Sequence, residues 1–222
     1  MWRDARLVAA KDLAIEARTR VGVTQIAPFA VLVLLLFAFA FDADRGALRD
    51  ATPGLFWVTV LLSGLLAVQR AFALEAPDGL RDALRLSGLD PAGVYLGKVA
   101  AVVVQLVALE VLLAVGVTVL YDADLGAVAV VVPTAVFGAV AVAAVGCAYG
   151  VLSVGHRVGT TLLPLLVLPA LAPLLLCATL AFSRGLDGAS GEAWRWFALV
   201  AAFAVSYVAL GLVTFRVLLE DA

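Results

Sequence analysis

Residues 52–98 read TPGLFWVTVLLSGLLAVQRAFALEAPDGLRDALRLSGLDPAGVYLGK, which is two apolar runs separated by a charged segment. The first run carries no charge up to Gln69, and the second starts near Asp90. A helix needs about 20 predominantly apolar residues to cross the hydrocarbon core of a bilayer, and both runs are long enough to do so. The stretch therefore predicts two membrane-spanning helices with a charged connector between them.

The rest of the chain has the same character. Its 222 residues are 64% hydrophobic and 14% charged, with a mean hydropathy of +1.11. A soluble domain is about half apolar and a quarter charged, so this composition indicates an all-α integral membrane protein. The net charge is -2 and no basic tract is present, which argues against nucleic acid as a partner.

We predict one transmembrane domain over residues 1–222, with six spans. A helix is expected before them at residues 1–20, where Trp2 and Leu7 lie among charged residues, and its place is the membrane interface. The alternative for this segment is a solvated basic tail. The spans are expected at about 22–41, 53–73, 91–121, 126–154, 159–182 and 196–217.

Basic residues are distributed unevenly between the two sides of the predicted bundle. Eleven lie in the termini and connectors of one side, and four lie on the other side. Positively charged connectors remain in the cytoplasm. We therefore expect a multi-pass protein of the inner, cytoplasmic membrane with both termini in the cytoplasm.

The charged connector has the pattern of a short amphipathic helix at about residues 78–89. Asp78 is suited to cap its start, Leu80 and Leu84 share one face, and Arg81 and Arg85 share another. One interpretation is that the arginines only enforce topology and contact lipid head groups. The other is that the helix docks onto a cytoplasmic partner protein. The candidate docking residues are Asp78, Leu80, Arg81, Leu84, Arg85 and Leu89.

Two local patterns predict how the spans begin and pack. Asp90 followed by Pro91 is typical of a capped helix start with proline in the first turn. Gly146 and Gly150 are four residues apart in an Ala/Val-rich span, a spacing that allows a second helix to approach closely. We expect this pair to serve packing within the chain rather than a dimer interface.

Glu110 is the one acidic residue in the middle of a predicted span. An ionisable side chain in a membrane is costly to bury, which makes it a candidate for function. We expect it to face the bundle interior in its neutral form. The alternative is a purely structural acid that is hydrogen-bonded to a neighbouring helix, for example to Thr59 or Ser63.

The chain carries no recognisable catalytic motif. It lacks the G-x-x-x-x-G-K-[ST] phosphate-binding loop, so ATP would have to be bound by another protein. Its single histidine, His156, falls at a predicted span end, and Cys147 and Cys177 lie in apolar runs. We therefore predict no enzymatic activity and no catalytic, cofactor or metal site in this chain.

A combination of residues in the N-terminal segment, the second and third spans, the connector and the fifth span points to a known family. These residues are Lys11–Leu13, Glu16, Arg18, Pro53–Gly54, Trp57, Leu61–Ala67, Gln69–Phe72, Asp78–Gly79, Leu84–Leu86, Lys98, Leu166–Pro169 and Pro173–Leu175. With them the sequence resembles the CcmB family, heme exporter protein B, over nearly its whole length, although no single motif carries the resemblance.

The resemblance implies an ABC-2-type permease in which residues 78–89 form the coupling helix to a CcmA-like ATPase. It further implies CcmC-like and CcmD-like membrane partners, a CcmE-like heme chaperone and a homodimer within the complex. ATP would be bound by the partner, and heme is a candidate cargo of the complex. The implied role is heme export, or ATP-driven release of the heme-loaded chaperone, in cytochrome c maturation. Alternatives are a permease for lipid or another small molecule, or a stand-alone proton-coupled transporter that uses Glu110.

Overall fold

The computed structural model describes residues 1–20, 22–41, 44–73, 88–123, 127–153 and 159–221. All regular secondary structure in these ranges is helical, which confirms the predicted all-α class. A π-helical turn, Gly22–Ile26, precedes the second helix. The α-helices are α1 Trp2–Thr19, α2 Ala27–Ala40, α3 Arg45–Ala73, α4 Pro91–Leu120, α5 Val128–Ser153, α6 Gly159–Leu186 and α7 Ser190–Asp221.

Five of the described helices, α3 to α7, are long and apolar enough to cross a membrane. Helix α2 has only 14 residues, which is shorter than the roughly 20 that a span requires. The helical segments Trp2–Thr19 and Thr24–Ala40 are bent by 56° relative to each other, and the count rises to six if this bent pair is one span. The predicted first span, 22–41, therefore consists of a π turn and a short α-helix.

The starts of α3 and α4 follow from capping by aspartate. Asp44 accepts a hydrogen bond from the Ala47 N–H at 2.9 Å, so α3 begins at Arg45, ahead of the predicted span start at residue 53. Asp90 caps α4 by accepting a hydrogen bond from the Ala92 N–H at 3.1 Å, and Pro91 occupies the first turn. The predicted Asp90–Pro91 start is confirmed.

Helix α5 lies at the centre of the bundle and contacts α3, α4, α6 and α7. Its buried face is made of small residues, which lets the surrounding helices approach closely. A Cβ atom added to Gly146 would lie 2.5 Å from the Val68 side chain of α3. Gly150 likewise faces Phe72 of α3. The glycine pair therefore serves packing within the chain, as expected from the sequence.

Three tyrosine hydroxyls connect the helices by donating hydrogen bonds to backbone carbonyls. Tyr95 of α4 donates to the carbonyl of Ala144 in α5 at 3.1 Å. Tyr121, just after α4, donates to the carbonyl of Leu34 in α2 at 3.0 Å. Tyr207 of α7 donates to a carbonyl of α6. Because a buried hydroxyl is costly without a partner, these bonds fix the relative positions of the helices.

Candidate functional site

The predicted docking residues Asp78, Leu80, Arg81, Leu84 and Arg85 lie outside the described part of the chain, which resumes at Gly88. Leu89 is described and is half-buried immediately before the cap of α4. The described elements that flank this segment in the chain are α3, before it, and the first turns of α4, after it.

Helix α1 packs directly on the first turns of α4. A Cβ atom added to Gly97 would lie 2.6 Å from the carbonyl oxygen of Ala5 and 2.7 Å from the Cβ of Val8. At Gly93 a Cβ atom would lie 2.9 Å from the Cβ of Asp4. All three distances are too short for a side chain, so only glycine permits this contact at either position. We call this contact the α1–α4 seam.

The α1–α4 seam was not predicted from the sequence. Gly93 and Gly97 show the same four-residue spacing as Gly146 and Gly150, and this spacing was the available signal. It was missed because α1 is charged and was interpreted as a helix lying in the membrane interface. Whether α1 also lies in that interface remains a prediction.

A buried ion pair joins the seam to the end of α3. Lys98 of α4 is only 2% exposed, and its ammonium nitrogen lies 3.6 Å from a carboxylate oxygen of Asp12 in α1. The same nitrogen lies 4.8 Å from the centre of the Phe72 ring in α3. Side chains of three helices thus meet at one cation, close to the described end of α3.

Asp4 provides a second polar link between α1 and the start of α4. Its carboxylate accepts a hydrogen bond from the Asp90 N–H at 3.3 Å. This bond favours the ionised form and holds the pKa of the Asp4 carboxyl below its usual value. The link therefore joins α1 to the residue at which the predicted coupling segment enters α4.

Glu110 is the most unusual polar residue of the bundle. It is 4% exposed, and neither carboxyl oxygen has a hydrogen-bond partner within the described part of the chain. Thr59 donates instead to the carbonyl of Leu55 at 2.8 Å, and Ser63 makes no hydrogen bond there either. Of the two structural partners considered from the sequence, neither is therefore bonded to Glu110. A buried carboxyl without a partner is stable only as the neutral acid.

A small cavity of about 130 Å³ lies beside Glu110, between α3, α4, α5 and α6. Its other walls are mainly apolar, with Phe56, Val131 and Phe182 among them. Its volume is comparable with that of an engineered apolar cavity of about 150 Å³ that holds a benzene molecule. The cavity leaves room for a change in the position of the acid without unfolding of the bundle.

No group of three or more histidine, cysteine, aspartate or glutamate residues that could hold a metal ion occurs among the described residues. Cys147 and Cys177 both have buried side chains. His156 lies outside the described ranges. The described residues thus give no support to a metal site.

Long apolar helices packed around a small-residue centre define a multi-pass integral membrane protein. The family described as CcmB protein matches residues 4–219, so the chain belongs to the CcmB family. Heme exporter protein B of Paracoccus denitrificans is 30% identical over 188 residues, which cover 81% of this chain and 82% of that protein. The Haemophilus influenzae protein of the same name is 30% identical over 169 residues, 76% of each chain. That of Rhodobacter capsulatus is 28% identical over 196 residues, 84% of this chain and 86% of its own.

Proposed function

We propose that this chain is the membrane permease subunit of a heme-export complex that serves cytochrome c maturation. The observation that carries the proposal is the family match over residues 4–219, supported by relatives named heme exporter protein B. The proposed complex contains a CcmA-like ATPase, CcmC-like and CcmD-like membrane proteins and a second copy of this chain. A CcmE-like heme chaperone would act through the complex. The distribution of basic residues supports a location in the inner membrane with cytoplasmic termini.

In this proposal the chain is not itself an enzyme and transmits work done by the ATPase. Residues 78–89 would contact the ATPase, and the contact would move the start of α4. Helix α4 is one continuous element of 30 residues, about 45 Å long at 1.5 Å per residue. A displacement of the helix start at Asp90 would therefore be transmitted along α4 to Glu110. The contacts of α1 and Phe72 with α4 would make the three helices move together.

We expect Arg85→Glu and Leu84→Asp to abolish most of the association with the ATPase while leaving the chain folded. The physical reason is that charge reversal and a buried charge both oppose docking of an amphipathic helix, at a cost of several kcal/mol for a fully desolvated site. The measurement is co-purification of a P-loop ATPase with the tagged chain, together with cytochrome c assembly in cells.

The matched control is Arg195→Glu, because Arg195 is exposed near the start of α7, on the side of the predicted topology opposite to residues 78–89. Normal association and normal cytochrome c assembly in both connector variants would contradict the coupling role. A loss in the Arg195 variant of the same size would show that the effect is not specific to the connector.

We further propose that Glu110 is a functional acid of the bundle rather than a structural one. An unsatisfied buried polar group costs about 1–3 kcal/mol, so Glu110→Leu should raise the free energy of unfolding by about that amount. The same change should lower cytochrome c assembly, because a residue retained at a cost in stability is retained for activity. Thermal unfolding in detergent and the cellular assay measure the two quantities.

Glu110→Gln is the control, because it keeps the shape of the side chain and removes its ionisable proton. Lower stability of Glu110→Leu with normal cytochrome c assembly would show that Glu110 is structural. An activity loss in Glu110→Leu that Glu110→Gln restores would assign the role to hydrogen bonding rather than to proton exchange.

A further inference from the structure

A cavity with both polar and apolar walls lies where α1 ends and α2 begins. Its volume is about 540 Å³, within the range of about 300–1,000 Å³ that is common for small-molecule sites. Glu16 of α1 and Arg20, the residue that follows the helix, provide polar groups at one end. Ile26 lines it from the π turn, and Leu109 from α4. We call it the elbow cavity.

The two charged residues of the elbow cavity are not equivalent. The Glu16 carboxylate accepts a hydrogen bond from the Gly22 N–H at 2.5 Å, so it is engaged by the backbone of the elbow. Arg20 is exposed, and its guanidinium makes no hydrogen bond or ion pair with the described residues. Arg20 therefore presents five donors to whatever enters the cavity.

The rest of the cavity continues along α4. Gln105 is half-buried and, within the described chain, its side-chain amide has no hydrogen-bond partner. Ala108 and Leu112 follow on the same wall, and both are exposed on the outer surface of the bundle. Between Gln105 and Leu112 the wall extends about 10 Å along the helix. The cavity thus passes from a cationic end through one amide to an apolar surface that opens sideways.

This order of chemical groups matches a phospholipid. We propose that the elbow cavity binds one phospholipid, with the phosphate at Arg20, the glycerol ester region at Gln105 and an acyl chain along Leu109 and Leu112. Guanidinium groups bind phosphate through paired, charge-assisted hydrogen bonds, which explains a free arginine at this position. The bound lipid would fill the space beneath the bend and hold α1 and α2 at their relative angle.

Native mass spectrometry of the purified full-length chain tests the proposal, with defined lipids added to the detergent solution. We expect a one-to-one adduct with phosphatidylethanolamine or phosphatidylglycerol. Diacylglycerol has the chains without the phosphate, and inorganic phosphate has the charge without the chains, so neither should form it. Arg20→Asn should weaken the adduct on the order of tenfold, because it removes a charge-assisted contact.

Asparagine is chosen because Arg20 has a φ of 53°, and asparagine accepts the left-handed conformation. Arg18→Asn is the matched control, since it removes an exposed charge near the end of α1 that does not line the cavity. Ala108→Leu should reduce lipid binding by filling the cavity, whereas Val104→Leu on the exposed surface of α4 should not. Equal losses in the Arg20 and Arg18 variants, or diacylglycerol binding as tight as that of phospholipid, would overturn the proposal.

Discussion

Asp12→Asn is expected to lower the free energy of unfolding by about 3 kcal/mol, because it removes the carboxylate 3.6 Å from a buried ammonium. Lys98 is 2% exposed, so the ammonium cannot regain its hydration without movement of α1, α3 or α4. The face of the Phe72 ring, which also contacts this ammonium, stabilises a cation by only about 0.5–2 kcal/mol. Chemical denaturation of the detergent-solubilised chain measures the difference.

Asp187→Asn is the matched control, because Asp187 is exposed in the turn between α6 and α7. The double variant Asp12→Leu with Lys98→Met should recover most of the lost stability, since an apolar pair commonly replaces a buried ion pair without penalty. Coupling between the two sites is then the difference between this double variant and the sum of Asp12→Leu and Lys98→Met measured singly. A purely additive result would show that the two side chains do not depend on each other.

Gly97→Ala is expected to destabilise the protein by about 1–3 kcal/mol, although alanine favours helix formation over glycine. The added Cβ would lie 2.6 Å from the carbonyl oxygen of Ala5, which is a backbone atom and cannot rotate away. Helix α1 must therefore shift away from α4, and the pair of Lys98 with Asp12 lengthens with it. Thermal unfolding and the cytochrome c assay should both show the loss.

Gly54→Ala is the control, because a Cβ atom at Gly54 meets no atom within 4 Å. The same substitution there should raise stability by up to about 1 kcal/mol through helix propensity alone. The two variants are thus expected to change stability in opposite directions. A stabilising Gly97→Ala would show that α1 does not pack on α4 as closely as the structure indicates.

Both predictions concern the contacts of α1 with α4, next to the proposed coupling segment, rather than the segment itself. The seam and the ion pair attach α1 to the N-terminal part of α4, which directly follows residues 78–89 in the chain. Variants that loosen this attachment should retain the ATPase and still lose transmission. That combination would distinguish them from Arg85→Glu, which is expected to lose the ATPase itself.

The sequence predicted structure correctly where the physical requirement concerns a single segment of the chain. Uncharged runs of about 20 residues predicted helices because every backbone polar group in lipid must be bonded within its own segment. Asp90–Pro91 predicted the start of α4 because capping and proline geometry are local. The start of α3 was predicted at residue 53, eight residues too late, although its signal, capping by Asp44, is equally local.

The class of protein follows from composition, and the lack of a G-x-x-x-x-G-K-[ST] motif is likewise visible in the chain read in order. The contacts of Lys98 do not, since its partners Asp12 and Phe72 belong to two other helices and come together only by packing. The same holds for Glu110, since only the packing shows that its carboxyl oxygens have no hydrogen-bond partner among the described residues and that Thr59 bonds to its own helix instead. Which glycines face a neighbouring helix, and which face open space as Gly54 does, is set by helix rotation in the packed bundle.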